Sequence, residues 1–275
     1  MMFGDLGQGA LIIFLGIYLY KKKGMQIGKI ISIVGASSMV FGVLYGSVFG
    51  FEEILPTIWL KPTENIEQIL LTSLVLGVVL IIVAMIFSII NAVKQKDLAK
   101  LYFSPNGIAG LVFYSCIVGL VFLMVNGYGG ISLILITIFA IISILIITFR
   151  EPLKFKLEGK KQVIQGSPTI YWLETIIEVF EIILTYFTNT LSFIRVGAFA
   201  LSHAGIMSVV WLLAHNSDGD HNFAIVLFGN LSVIYIEGFI AGIQALRIQF
   251  YEMFSRYYKG VGVEFKPCRS LENIK

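Results

Sequence analysis

The 275-residue chain is 57% apolar, only 13% charged and carries a formal net charge of +3, with a mean hydropathy of +0.87. A soluble domain carries about 25% charged residues, so that class is excluded. Apolar runs of about 20 residues recur without alternation, which argues for membrane-spanning helices and against a β-barrel.

Taken in chain order, the apolar runs predict an all-α integral membrane domain of about seven transmembrane helices, at 3–20, 27–50, 66–93, 107–126, 128–149, 170–213 and 222–258. The last two are long and therefore tilted. Asp5 opens the first helix, where a carboxylate suits both a cap and a functional role. The second is rich in small residues, with Gly42, Gly46 and Gly50 at four-residue spacing beside Ser37 and Ser38. That spacing predicts close helix packing in lipid. The third holds Thr72, Ser73 and Ser88 but no charge in its core, and reads as lipid-facing scaffold. The fourth and fifth form an antiparallel hairpin turning at Asn126, with no ionisable group.

Basic residues collect in alternate connections: Lys21, Lys22, Lys23 and Lys29; Lys94, Lys96 and Lys100; Arg150, Lys154, Lys156, Lys160 and Lys161; and Arg256, Lys259, Lys266, Arg269 and Lys275. The other side holds Lys61 beside Glu52, Glu53, Glu64 and Glu67, together with Asp218 and Asp220. The positive-inside rule then places the C-terminus in the cytoplasm and the N-terminus outside. Residues 1–20 lack the basic region and cleavage site of a secretory signal. A chain opening outside with MMFGD leads to the expectation of an upstream helix and cytoplasmic domain beyond this sequence. Cys116 and Cys268 lie at different depths and without metal-ligand neighbours, so they read as filler and a free thiol.

Chemistry concentrates in the sixth and seventh helices. At about 1.5 Å per residue, 44 residues span about 66 Å, twice the hydrocarbon thickness. Glu174, Glu178, Glu181, Thr185, Thr188, Ser192, Arg195 and Ser202 follow steps of four and three, with Phe199 in the gap. They form one stripe, acidic at its start and hydroxylated as it approaches Arg195. A charge at mid-membrane costs about 3 kcal/mol on insertion scales, and such residues usually line an ion or substrate path. Two readings of the stripe stand: the wall of a cytoplasmic aqueous half-channel, or a polar seam between helices with its acids at the interface. In the seventh helix, Glu237, Gln244 and Tyr251 are seven apart and share a face, with Arg247 close by. Glu237 reads as an acid on an outer path or as an ion-pair partner of Arg195 or Arg247. His203 reads as part of that path or as a packing residue. His215 and His221 flank an exposed loop. Phosphate-loop, HExxH and GxSxG motifs are absent, so no ATP site and no cofactor are expected, and nothing points to nucleic acid.

Four stretches resemble the membrane domain of the rotary V-type/A-type ATPase a subunit, called subunit I in bacteria and archaea. They are MMFGDLGQG (1–9), FGVLYGSVFG (41–50), EVFEIILTYFTNTLSFIRVGAFALSHAG (178–205) and ALRIQFYEMFSRYYKGVGVEFKP (245–267). The wording around Arg195 is closest to the prokaryotic branch. The resemblance implies an ion-translocating stator in a prokaryotic cell membrane, beside a rotating proteolipid (c/K) ring and joined to peripheral and central stalk subunits. It implies that Arg195 is the essential arginine and Arg247 the second one. Glu237 and His203 would serve the non-cytoplasmic half-channel, and Glu174, Glu178 and Glu181 would suit the cytoplasmic one. The chain would not be an enzyme by itself, and the coupling ion would be proton or sodium. Family members carry a large soluble domain and one helix before MMFGD, which matches the expectation of upstream sequence. A secondary transporter or ion channel, and a non-translocating remnant, are the competing readings. Unbroken long helices and the lack of an inverted repeat weigh against a transporter.

Overall fold

A computed structural model of the chain describes residues 1–51, 55–127, 130–150, 168–215, 222–258 and 260. Glu52, Glu53, Lys154, Lys156, Lys160, Lys161, Asp218, Asp220, His221, Lys259, Lys266, Cys268, Arg269 and Lys275 lie outside the described residues.

Lipid offers no hydrogen bonds to a backbone, so a spanning segment must satisfy its own. The described residues accordingly form helices: α1 (Leu6–Lys23), α2 (Ile27–Tyr45), α3 (Ile66–Lys94), α4 (Leu98–Phe103), α5 (Ile108–Val125), α6 (Ile131–Thr148), α7 (Pro168–Ser192), α8 (Ile194–Ala214) and α9 (Phe223–Arg247). A π-helical segment, Ile248–Phe254, and a last turn, Ser255–Tyr257, extend α9. Among the described residues, six stretches are long and apolar enough to cross a membrane: Ile27–Tyr45, Ile66–Lys94, Leu101–Val125, Ile131–Thr148, Tyr171–Ala214 and Phe223–Tyr257. The chain is an all-α integral membrane protein. α1 closes on Lys21, Lys22 and Lys23, followed by Gly24 in the left-handed conformation that ends a helix.

α1 and α2 pack backbone against backbone. The packing glycines are Gly9 and Gly16 on α1 against Gly28, Gly35 and Gly42 on α2, where an added Cβ would meet main-chain atoms of the facing helix. This corrects the expected stripe of Gly42, Gly46 and Gly50. α2 stops at Tyr45, and Gly46 (φ 73°) and Gly50 (φ 77°) instead bend the turn that follows. The packing period is seven residues, because two turns of helix return a side chain to the same face.

α3 keeps an exposed apolar face, with Leu71, Val75, Val79 and Phe87 on it, but it also has a packed one. Ile69, Ser73, Gly77, Ile81, Ala84, Met85, Ser88 and Ala92 are buried. The Phe193 ring sits where a side chain on Gly77 would stand, and Ser73 occupies the same position against Gly197. Apolarity alone does not separate a lipid-facing helix from a buried one. The small residues at steps of four and seven are what mark the packed face.

The expected single helix at 170–213 is interrupted at Phe193. There the amide of Phe193 donates to the Thr190 carbonyl and that of Val196 to the Phe193 carbonyl, a three-residue spacing tighter than α-helix. Phe193 keeps helical dihedrals, φ −74° and ψ −18°. The ring is fully buried against α3. The helix is tightened at this point rather than unwound.

The Gly42→Ala variant tests the α1–α2 contact, because its Cβ would collide with the backbone of Asp5 and Leu6. Overpacking of this kind costs about 1–3 kcal/mol. Thermal unfolding in detergent should show it, and an unchanged midpoint would contradict the packing described.

Candidate functional site

α8 and α9 run antiparallel and carry two polar rungs between them. Arg195 on α8 donates from Nη1 to Gln244 Oε1 on α9 at 3.0 Å. Eight residues on, His203 Nδ1 meets Glu237 Oε2 at 2.6 Å. The rungs are thus about 12 Å apart along the helices. Eight steps along α8 match seven back along α9, the register of two regular helices packed in opposite directions.

The two rungs differ in environment. Arg195 is half-buried and rests on a neutral amide, so its charge is not cancelled by this partner. His203 and Glu237 are buried, at 5% and 9% exposure. A contact this short between a ring nitrogen and a carboxylate is of the charge-assisted kind. The outer atoms of the pair, His203 Nε2 and Glu237 Oε1, make no hydrogen bond among the described residues. Phe3 covers the imidazole with ring centroids 4.8 Å apart, and a small cavity lined by Gly4, Tyr45, Ser47, Gly50 and Met207 lies beside it.

Asp5 holds the chain start against this pair. It is fully buried. Its carboxylate accepts from the Gln8 and Phe49 amides at 2.9 Å, from Ser47 Oγ at 2.8 Å and from the Gly50 amide at 2.7 Å. The cap is therefore also a knot between α1 and the turn after α2. Gln8 then bridges to α9 through Asn230 Oδ1 at 2.8 Å.

The rest of the sequence-derived set separates. Glu174, Glu181, Thr185 and Thr188 are exposed along α7. Glu178 pairs with Arg150 at 2.6 Å, with both side chains 37% exposed. Arg247 is exposed, with no hydrogen bond or ion pair among the described residues. Ser192 is half-buried and donates to Glu252 Oε1. Tyr251 does not share the face of Glu237 and Gln244, being 71% exposed. The π-helical segment adds residues to the turn and rotates Glu252 inward in its place.

Two residues of this region were not singled out by the sequence pattern. Glu252 is 5% exposed and Arg256 6% exposed. Counting Arg256 among the solvated basic residues is therefore corrected. Its guanidinium lies over the Tyr186 ring at 5.2 Å, its Nε donates to the Glu252 carbonyl at 3.2 Å and its Nη1 to Asn106 Oδ1 at 3.4 Å. A strict helical period hides both, since it is the π turn that brings them inside. Among the described residues, no group of three or more His, Cys, Asp or Glu could hold a metal ion.

No family model matches the chain. Known proteins do. It is 26% identical to the A-type ATP synthase subunit I of Aeropyrum pernix, over 98% of this chain and 45% of that protein. It is 23% identical to the A-type ATP synthase subunit I of Halobacterium salinarum, over 97% of this chain and 45% of that protein. It is 34% identical to the V-type proton ATPase 116 kDa subunit a 1 of Caenorhabditis elegans, over 36% of this chain and 12% of that protein.

The chain is a homologue of these membrane subunits. It spans less than half the length of the A-type subunit I relatives it matches. In this subunit I homologue, residues from the chain start and from α8 and α9 meet around one buried acid–imidazole pair. A double-mutant cycle on His203→Ala and Glu237→Ala should give a coupling of about 0.5–3 kcal/mol in thermal unfolding. Effects that simply add would mean the pair does not form.

Proposed function

We propose that the chain is the ion-translocating membrane stator of a V/A-type rotary ATPase in the cell membrane of a prokaryote. It works against a proteolipid ring and with the peripheral and central stalk subunits of the complex. The observation that carries this reading is Arg195, a half-buried membrane cation whose hydrogen-bond partner is the neutral Gln244. An arginine held by an amide keeps its charge available to an arriving carboxylate. One held by an acid would not.

The positive-inside orientation puts the basic ends of the helices in the cytoplasm and His203 and Glu237 on the outer side of Arg195. The outer half-channel then runs past the buried His203–Glu237 pair. A ring site would release its ion there when Arg195 displaces it. The cytoplasmic half-channel follows α7, whose Glu174, Glu181, Thr185 and Thr188 are exposed among the described residues. A polar face turned outward from an apolar bundle is costly against lipid, so it suits a polar partner. Arg247, exposed and near Gln244, supplies a second positive charge on the same side of α9 as the rotor. ATP hydrolysis or synthesis takes place elsewhere in the complex.

Arg195 acts at the step of ion exchange. The Arg195→Gln complex should lose ATP-driven ion uptake into vesicles while its soluble head still hydrolyses ATP. A fall of about a hundredfold or more is expected for a residue without a substitute. Uptake at the normal rate in that variant would remove the reading. Solute flux through the isolated chain in liposomes, without ring or head, would favour a transporter.

A further inference from the structure

Arg195 is bracketed by two buried carboxyls, and only one of them was assigned above. Glu237 lies seven residues before Gln244 on α9, and Glu252 lies eight after it. Both are nine-tenths or more buried. Each is hydrogen-bonded to the neighbouring helix through one oxygen, Glu237 to His203 and Glu252 to Ser192. Each keeps its second oxygen without a partner among the described residues.

The bracket depends on the π segment. Between Arg195 and Ser192 the chain moves three residues, while between their partners Gln244 and Glu252 it moves eight. Regular antiparallel helices would pair Ser192 with a residue near 247 or 248. The π segment and the tightened turn at Phe193 both shift the register toward the pairing of Ser192 with Glu252. A π turn costs backbone hydrogen-bond geometry and is often kept at functional sites. Here it exchanges the tyrosine at 251 for an acid at the buried position.

Burying a carboxylate with an open oxygen is expensive, and a single serine hydroxyl does not offset it. Arg256 is one turn away but uses its Nε on the backbone carbonyl of Glu252, and no salt bridge joins the two side chains. The open oxygen of this carboxyl is a place where a proton can sit, since a protonated carboxyl both donates and accepts.

We propose that Glu252 is a proton-holding site at the inner end of the cytoplasmic half-channel, with Ser192 as the bridge toward the Arg195 face. The proposal rests on the stator reading and names one more residue of the same path. One proton adds to the Glu252 carboxylate and makes it a neutral acid. Ser192 then takes a proton from the acid as it passes its own hydroxyl proton to a ring carboxylate. Glu252 ends as the anion and Ser192 as the alcohol, with one proton moved and no electrons exchanged.

The test is Glu252→Gln in the assembled complex in native membranes. Glutamine keeps size and an oxygen that accepts from Ser192, but it cannot carry the proton. Proton pumping should fall by about tenfold or more, with ring cross-linking to the Arg195 face intact. The Glu252→Asp variant should recover part of it, and the infrared band of a protonated carboxyl should be missing from Glu252→Gln. Pumping at the normal rate in Glu252→Gln would overturn the proposal. If that variant does not assemble, Ser192→Ala decides: slowed pumping in the assembled complex supports the path, and an unchanged rate overturns it. Loss of pumping in Arg195→Gln together with normal pumping in Glu252→Gln would sink only this inference. Normal pumping in Arg195→Gln would sink the stator reading itself.

Discussion

The interaction on which the rest depends is the antiparallel contact of α8 with α9. It brings a cation, a histidine and a carboxylate inside a membrane span, and it does so through one cross-helix partner for each. In lipid there is no hydrophobic force to hold two helices together, because the tails are as apolar as the side chains. Polar rungs and close packing must do it. The same rungs that hold the pair are the groups proposed to move the ion. Affinity between helices and chemistry along the path therefore come from one set of atoms.

Everything around this pair limits its freedom. α3 supplies a floor of small residues on which Phe193, Val196 and Gly197 settle, so the tightened turn beside Arg195 sits on a packed surface. On the opposite side Asp5 ties the start of α1 to the turn after α2, and Gln8 and Phe3 carry that rigidity to Asn230 and His203. The glycine contact of α1 with α2 permits this, since it lets the two backbones approach closely enough for the Asp5 knot to close. A chain of contacts thus runs from the first residues to the centre of the last two helices.

The buried carboxyls carry a physical tension that a stable scaffold would avoid. Among the described residues, Glu237 and Glu252 each keep one oxygen without a partner, and a fully apolar replacement would pack at lower cost. Glu178 shows the ordinary alternative, an ion pair with Arg150 at a partly exposed end.

What the sequence determined by itself was the class and a set of candidate residues. Apolar runs of bilayer length without alternation, with most basic residues in the connections, leave a bundle of helices as the arrangement that satisfies its own backbone. Arg195, Glu237 and His203 were legible because an ionisable residue in such a run has no cheap explanation. The tertiary structure decided which of the polar residues meet. It paired Arg195 with Gln244 rather than with an acid, gave α3 a packed face and reduced a glycine stripe to one packing contact and two turn positions. It also turned Glu252 and Arg256 inward, where a regular helical period had placed Tyr251. The reason is that period and composition describe one helix at a time. The π turn at Ile248–Phe254 and the tightened turn at Phe193 exist only where neighbouring helices impose them.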